Sequence, residues 1–329
     1  MSAVQERTVS TDEEGMRLDR WFALHFPQLG FGRLQKLIRT GQVRVDKGRV
    51  QTNSRLSAGQ VVRVPPVDDP DVVRAPRINE EDAAFLRSLI LYEDDEIYVF
   101  NKPFGLAVQG GTNTKRHIDG MLKSLPNKKG EAPRLVHRLD RDTSGCLVVA
   151  KTHAAASHFG TVFRSRSARK IYWAVVVGNP NPRQGDISCF LAKQATQDGE
   201  QMIVVPHGYP GAQHSQTYYS TTDTAGRRFA WVTLKPVTGR THQLRVHMAQ
   251  LGNPILGDPR YFNIENWQAP EGLAEGLHLH ARRITLPLRS GKKLDVSAPL
   301  PPHMQETFDA LGFDAARYDA QNVDPEAEA

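Results

Sequence analysis

The run LVHRLDRDTSG, residues 135–145, sets Asp140 between Arg138 and Arg141 and leads through Asp142, Thr143, Ser144 and Gly145 into an apolar stretch. A carboxylate beside cations stays ionised, and an ionised carboxylate can attack an electrophile without a separate base. An Asp in a polar loop serves turns and caps more often than catalysis, so spacing alone leaves its role open. Twelve histidines invite a metal reading. Their spacing argues against one: His242 and His247 stand five apart, His278 and His280 alternate on an expected strand, and neither cysteine has a CxxC partner. No metal site is expected. The Gly110-Gly111 loop lacks the Lys-Ser/Thr ending of a phosphate-binding P-loop, and the chain has no Gly-x-Ser-x-Gly elbow of a serine hydrolase.

The elements that must hold such groups follow from apolar spacing. Ile97 to Phe100, Cys146 to Ala150, Ile171 to Val177, Phe229 to Leu234 and Leu277 to Leu286 are β-like, whereas HQLRVHMAQL, residues 242–251, has helical spacing. These strands are not regularly interleaved with helices, which points to a mixed sheet with flanking helices rather than repeated βαβ units. Near the N-terminus, Leu18, Trp21 and Phe22, then Leu34, Leu37 and Ile38, recur as two short helices around a Gly30-Phe31-Gly32 break. Gly41 is placed to end the second helix. Val43 and Val45 alternate, Asp46-Lys47-Gly48 supplies a turn, and residues 61–64 make a late strand. Four prolines and three acids in PPVDDPDVVRAPR, residues 65–77, mark a linker.

A chain of 329 residues has room for two or three domains and builds a core without covalent staples. Cys146 and Cys189 can pair at most once, which excludes a disulfide framework and favours a reducing compartment. Neither a secretory leader nor an apolar run of about 18 residues is found, so a cytoplasmic protein with no membrane partner is expected. The net charge of +6 is unevenly spread. Residues 16–65 hold ten Lys or Arg against two acids, and the rest of the chain is negative by two. Such a concentrated surplus suits an electrostatic contact with a polyanion, although a solvated basic face reads as well from composition.

Ordered motifs over residues 89–300 carry a stronger signal. The residues His137 to Gly145, the opening run Ile90 to Asp95 with Asn101-Lys102-Pro103 and Gly105, and Lys170-Ile171-Tyr172 with Gly178 come first. Residues Pro236 to His247, Gly252 to Asp258 and Leu279-His280-Ala281 extend the series. Together they resemble the family of pseudouridine synthases that modify ribosomal and transfer RNA. Arg17-Leu18-Asp19 and Gly41 to Asp46 are similar to an S4-type RNA-binding domain. That pairing resembles the branch acting on large-subunit (23S) ribosomal RNA.

The resemblance implies an α+β protein: a mixed, mostly antiparallel sheet with flanking helices over residues 89–313, and a small α/β S4-like domain over 13–66. A linker at 67–88 and tails at 1–12 and 314–329 complete this division. It implies an isomerase that needs no cofactor, since cutting the C1′–N1 bond of uridine and rejoining the base through C5 conserves all atoms. Asp140 would start the reaction, Tyr172 would pack against the flipped base, Arg245 would pair with Asp140, and Arg138 would fill the vacated stack, flipping costing a few kcal/mol. Leu244 and Leu279 would wall the pocket. Arg17, Arg20, Arg33, Lys36, Arg39, Arg44 and Lys47 would contact the RNA. Gln109 stands where relatives carry a histidine. The expected partner is large-subunit ribosomal RNA or a pre-ribosomal particle, bound by a monomer. Two alternatives are the same chemistry on transfer RNA and an idle rRNA-binding assembly factor, and the presence of Asp140, Tyr172 and Arg245 together favours the enzyme.

Overall fold

The computed structural model describes residues 4–27, 29–66, 79–111, 114, 116–127, 130–196, 199–262, 267 and 270–319. The chain forms two compact units, Met1–Pro76 and Arg77–Ala329. In the first, strands β1 (Gln5–Thr8), β2 (Arg44–Val45) and β3 (Val61–Val64) form a sheet in the order β1-β3-β2, with helices α1 (Leu18–His25) and α2 (Phe31–Arg39). The expected helical stripes become its core: Leu18, Trp21, Phe22 and Leu34 pack with Val43, Val62 and Val64. Gly41 takes the left-handed conformation just past α2, the position where a helix end favours glycine.

Residues 1–12 were expected as a tail, but β1 pairs antiparallel with β3, and Val9 is buried in the core. The polar sequence Gln-Glu-Arg-Thr carries no apolar alternation, so its pairing rests on backbone hydrogen bonds that leave no mark in side-chain pattern.

The second unit begins with helix α3 (Glu80–Ser88), capped by the Asn79 side chain. Of the expected linker, residues 67–78 lie outside the described residues, whereas residues 80–88 pack Ala83 and Leu86 into the unit's core. Strands β4 (Ile90–Glu93) and β5 (Ile97–Lys102), helix α4 (Ile118–Met121), and strands β6 (Arg134–Leu135) and β7 (Ser144–Ala150) follow. Next come helix α5 (His153–Arg164) and the strands β8 (Arg169–Val177), β9 (Gln184–Thr196), β10 (Gly199–Val205), β11 (Gln213–Ala225) and β12 (Phe229–Pro236). Helix α6 (Gln243–Gln250), strands β13 (Leu279–Pro287) and β14 (Lys293–Ser297), and helices α7 (Pro302–Leu311) and α8 (Ala315–Asp319) complete it.

Among the described residues one sheet of eleven strands runs β10-β9-β11-β12-β8-β13-β7-β5-β4, with β14 beside β13 and β6 beside β7. All pairs are antiparallel except β7 with β13. This is the mixed, mostly antiparallel sheet that the sequence implied. Phe159 and Val162 of α5 pack with Val148, while Met304 and Phe308 of α7 pack with Trp173 and Trp231. Residues 314–319 are likewise no tail: Tyr318 lies edge-on to Trp231 at 5.1 Å, and Asp319 pairs with Arg282. No helix among the described residues is long and apolar enough to cross a membrane.

His247, His278 and His280 have no solvent exposure. Burial, above all, pushes their imidazoles down to about 4, 4 and 3. They are therefore neutral in the fold, while the unfolded chain binds protons on them below about pH 6.5. Stability is fully present above that pH and is lost as pH falls toward 4. Three extra protons on the unfolded side give a slope on the order of 4 kcal/mol per pH unit around pH 5. Urea unfolding at pH 7, 6 and 5 is expected to show this fall; equal midpoints would show that the histidines are protonated in the native state.

Candidate active site

The loop between β6 and β7 carries Asp140 and is pinned on both sides. Before it, Leu139 is buried in the core, and the Val148 amide donates to His137 Nε2 at 2.8 Å. An amide N–H only donates, so this nitrogen is unprotonated. The His137 ring stacks on Phe163 at 4.2 Å, and burial, with a smaller push from Lys170, lowers it to about 3. It is a neutral strut. After Asp140, the wholly buried Lys102 ammonium donates to three carbonyls: Arg141 at 2.8 Å, Pro103 at 2.8 Å and Leu106 at 2.7 Å. Burial lowers Lys102 to about 7 against the pull of Asp142 and Asp140. Three carbonyl acceptors match the three N–H groups that only the charged form has.

Lys102 is the functional residue that sequence reasoning passed over. It stood in a quoted motif, but nothing in a linear pattern shows that a lysine turns inward. Lys102→Met is expected to cost about 3 kcal/mol, because three buried carbonyls lose a charged donor. Product formation should fall with it, as the Asp140 loop loses its clasp. Denaturant unfolding and a turnover assay check this, and wild-type stability would show the carbonyls to be satisfied otherwise.

Where β7 begins, Gly145 adopts φ +105°, and a Cβ there would lie 2.2 Å from the Ala281 carbonyl oxygen. Only glycine allows β7 to meet β13 so closely, with His280 opposite Ser144. This contact sets the Asp140 loop beside Leu279. Asp140, half-buried, shares one cleft of about 540 Å³ with Arg138, Tyr172, Leu244, Arg245 and Leu279. That volume suits a small-molecule-sized guest such as one nucleotide. Tyr172 projects from β8, and burial, then the Asp140 charge, pushes its phenol up. Arg138 is exposed at the cleft. Gln109 is also exposed, but it does not line the cleft.

The expected Arg245–Asp140 pair is not formed. Arg245 instead grips Asp258 in a fork, Nε to Oδ2 at 2.7 Å and Nη2 to Oδ1 at 2.6 Å, with both side chains buried. Asp258 also accepts the backbone N–H groups of Arg260 and Tyr261. Burial would lower the guanidinium, but Asp258 outweighs it and raises Arg245, and Asp140 adds its charge from farther off. The physical reason is geometric: a planar fork satisfies two oxygens of one carboxylate, and Asp258 lies on the loop that follows α6. His242 also lines the cleft, in left-handed backbone before α6, with Nδ1 2.9 Å from the Tyr261 hydroxyl. Among the described residues no cluster of three or more His, Cys, Asp or Glu could hold a metal.

In the N-terminal unit the expected basic residues divide. Lys36 and Arg39 line a shallow groove with Arg49 and Thr52. Arg20, Arg33 and Lys47 are exposed. Arg17 is held by Asp19 at 2.7 Å, and Arg44 closes its own turn by donating to the Gly41 and Lys47 carbonyls. The sequence singled out neither Arg49 nor the groove, because the two segments that form it are brought together only by folding.

Residues 96–250 match the family model described as RNA pseudouridylate synthase, and that span holds Lys102, Arg138, Asp140, Tyr172 and Arg245. The chain is 35% identical to ribosomal large subunit pseudouridine synthase C of Vibrio vulnificus, over 94% of this chain and 96% of that one. To the protein of the same name from Escherichia coli it is 34% identical, over 92% and 95%. RNA pseudouridine synthase 4, mitochondrial, of Arabidopsis thaliana is 35% identical, over 92% and 80%. The solved structure of human RNA pseudouridylate synthase domain containing 4 superposes with a TM-score of 0.59 at 30% identity, covering 71% of this chain and 97% of that one. Near-full-length likeness of this kind, on a chain whose sheet gathers Asp140, Tyr172 and Arg245 into one cleft, makes this protein a member of the RNA pseudouridine synthase family and an isomerase.

Proposed function

We propose that the protein converts uridines of large-subunit ribosomal RNA to pseudouridine, with Asp140 as the group that starts the reaction. One observation carries the reading: the Asp140 carboxylate stands on a pinned loop, in the same cleft as an aromatic ring and a buried guanidinium. Asp140 initiates cleavage of the C1′–N1 bond, the free uracil turns, and C5 bonds to C1′ while the C5 hydrogen leaves as a proton. No cofactor is consumed in this sequence. The Tyr172 ring faces the base and permits its rotation, since a planar face holds a base without fixing its azimuth. Arg138 fills the stack that the nucleotide leaves. Arg245, seated on Asp258, holds positive charge behind the site. The N-terminal unit is the S4-like docking module, with Lys36, Arg39 and Arg49 on phosphates. The protein acts as a cytoplasmic monomer on ribosomal RNA or a pre-ribosomal particle.

Pseudouridine mapping of total RNA from cells with and without the gene tests this. Loss of particular pseudouridines from large-subunit ribosomal RNA is expected. Loss from transfer RNA alone would move the same chemistry to that substrate, and an unchanged map would remove the reading.

A further inference from the structure

The cleft is lined by six Arg or Lys side chains and one acid, Asp140. Two of the cations are placed in an unusual way. Helix α5 closes with the Ser165 amide donating to the Thr161 carbonyl at 2.8 Å and the Ser167 amide to the Val162 carbonyl at 3.1 Å. Between them Arg166 sits at φ +62°, the left-handed position where such helix ends favour glycine. The backbone cost is borne by a side chain that lines the cleft and has no acidic partner among the described residues. Four residues on, Lys170 of β8 is half-buried in the same wall. Burial, and then the Arg166 charge, pushes its ammonium down to about 8.

The other buried cations of the site have their partners, three carbonyls for Lys102 and Asp258 for Arg245. The Lys170 ammonium has neither a hydrogen bond nor an ion pair among the described residues, its backbone being paired in the ladder with β13. A half-buried cation facing a second cation lacks an anion, and the ligand must supply one. We propose that Arg166 and Lys170 form a phosphodiester-binding site on the cleft wall, which holds the RNA strand beside the flipped uridine. This rests on the reading of the cleft as the RNA site. It places the strand along the α5–β8 turn, and the left-handed backbone aims Arg166 where a glycine would leave a gap in the charge.

The test uses Arg166→Gly, Lys170→Met and their combination in the full chain, with a large-subunit ribosomal RNA transcript labelled with tritium at uridine C5. Arg166→Gly relieves a left-handed arginine, so its melting temperature should not fall, and lost binding cannot be laid to lost fold. The double variant is expected to raise KM about tenfold with kcat changed less than threefold, the split that marks uniform binding. Its affinity should lose about 0.7 of the slope against log salt, the share of one single-strand phosphate contact. Lys170→Arg should restore most of both. An unchanged salt slope and KM, or a fall in kcat at constant KM, would overturn the phosphate site. Affinity and salt slope decide this point by themselves. Tritium release by the wild-type protein separately tests the underlying reading.

Discussion

Asp140→Asn is expected to abolish tritium release from C5-labelled ribosomal RNA, by a factor of at least about a thousand, while RNA affinity stays within about tenfold. The amide keeps the shape of the carboxylate and its place beside Leu139, which is anchored in the core independently of the Asp140 side chain. What it loses is the negative charge, without which it can neither act as a nucleophile nor take a proton. A thousandfold loss is about 4 kcal/mol of transition-state stabilisation, well above the effect of one misplaced neutral hydrogen bond. The His137 strut and the three hydrogen bonds of the Lys102 clasp run to other groups, and the Asp140 charge only adds to the larger pull of Asp142 on Lys102, so a melting curve of the variant separates lost chemistry from lost fold. Turnover by the purified variant near the wild-type rate would remove Asp140 from the chemistry, and the cleft would have to be read as a binding site.

The parts of this architecture that were legible are those whose side chains carry the pattern. β5, β7, β8 and β12 are buried on both faces or nearly so, and their apolar runs announce them. The helix at α6 was visible as spacing. Of the long strands β9 and β11, β9 has only the short run Cys189 to Ala192 within thirteen residues, and β11, rich in Ser and Thr, sets Tyr218 and Tyr219 among polar neighbours. Their pairing is fixed by registered backbone hydrogen bonds, as in β1, and composition is blind to it. The same holds inside the site. The Asp140 motif was readable because its residues are consecutive, whereas the partner of Arg245 lies thirteen positions on, across the end of a helix. Lys102 looks like any strand-end lysine until the Pro103, Leu106 and Arg141 carbonyls close around it.

Asp258→Asn is expected to destabilise the protein by about 3–5 kcal/mol and to depress turnover strongly, because it leaves the Arg245 guanidinium buried without a counter-charge. An amide offers one acceptor oxygen where the fork uses two, and its NH₂ faces a donor. Two effects are mixed in that single variant, lost stability and lost charge placement near Asp140. Arg245→Met with Asp258→Leu separates them. Replacing a buried ion pair by apolar groups of similar volume is often close to neutral for stability, so this double variant should regain much of what Asp258→Asn loses. The regain should stay incomplete, since the Arg260 and Tyr261 amides also lose their acceptor. Urea unfolding and tritium release are measured on both variants. If stability returns while turnover does not, the Arg245 charge acts on the reaction. If turnover returns as well, Arg245 and Asp258 only brace the floor of the cleft, and the positive charge that Asp140 needs must come from the cations along its rim.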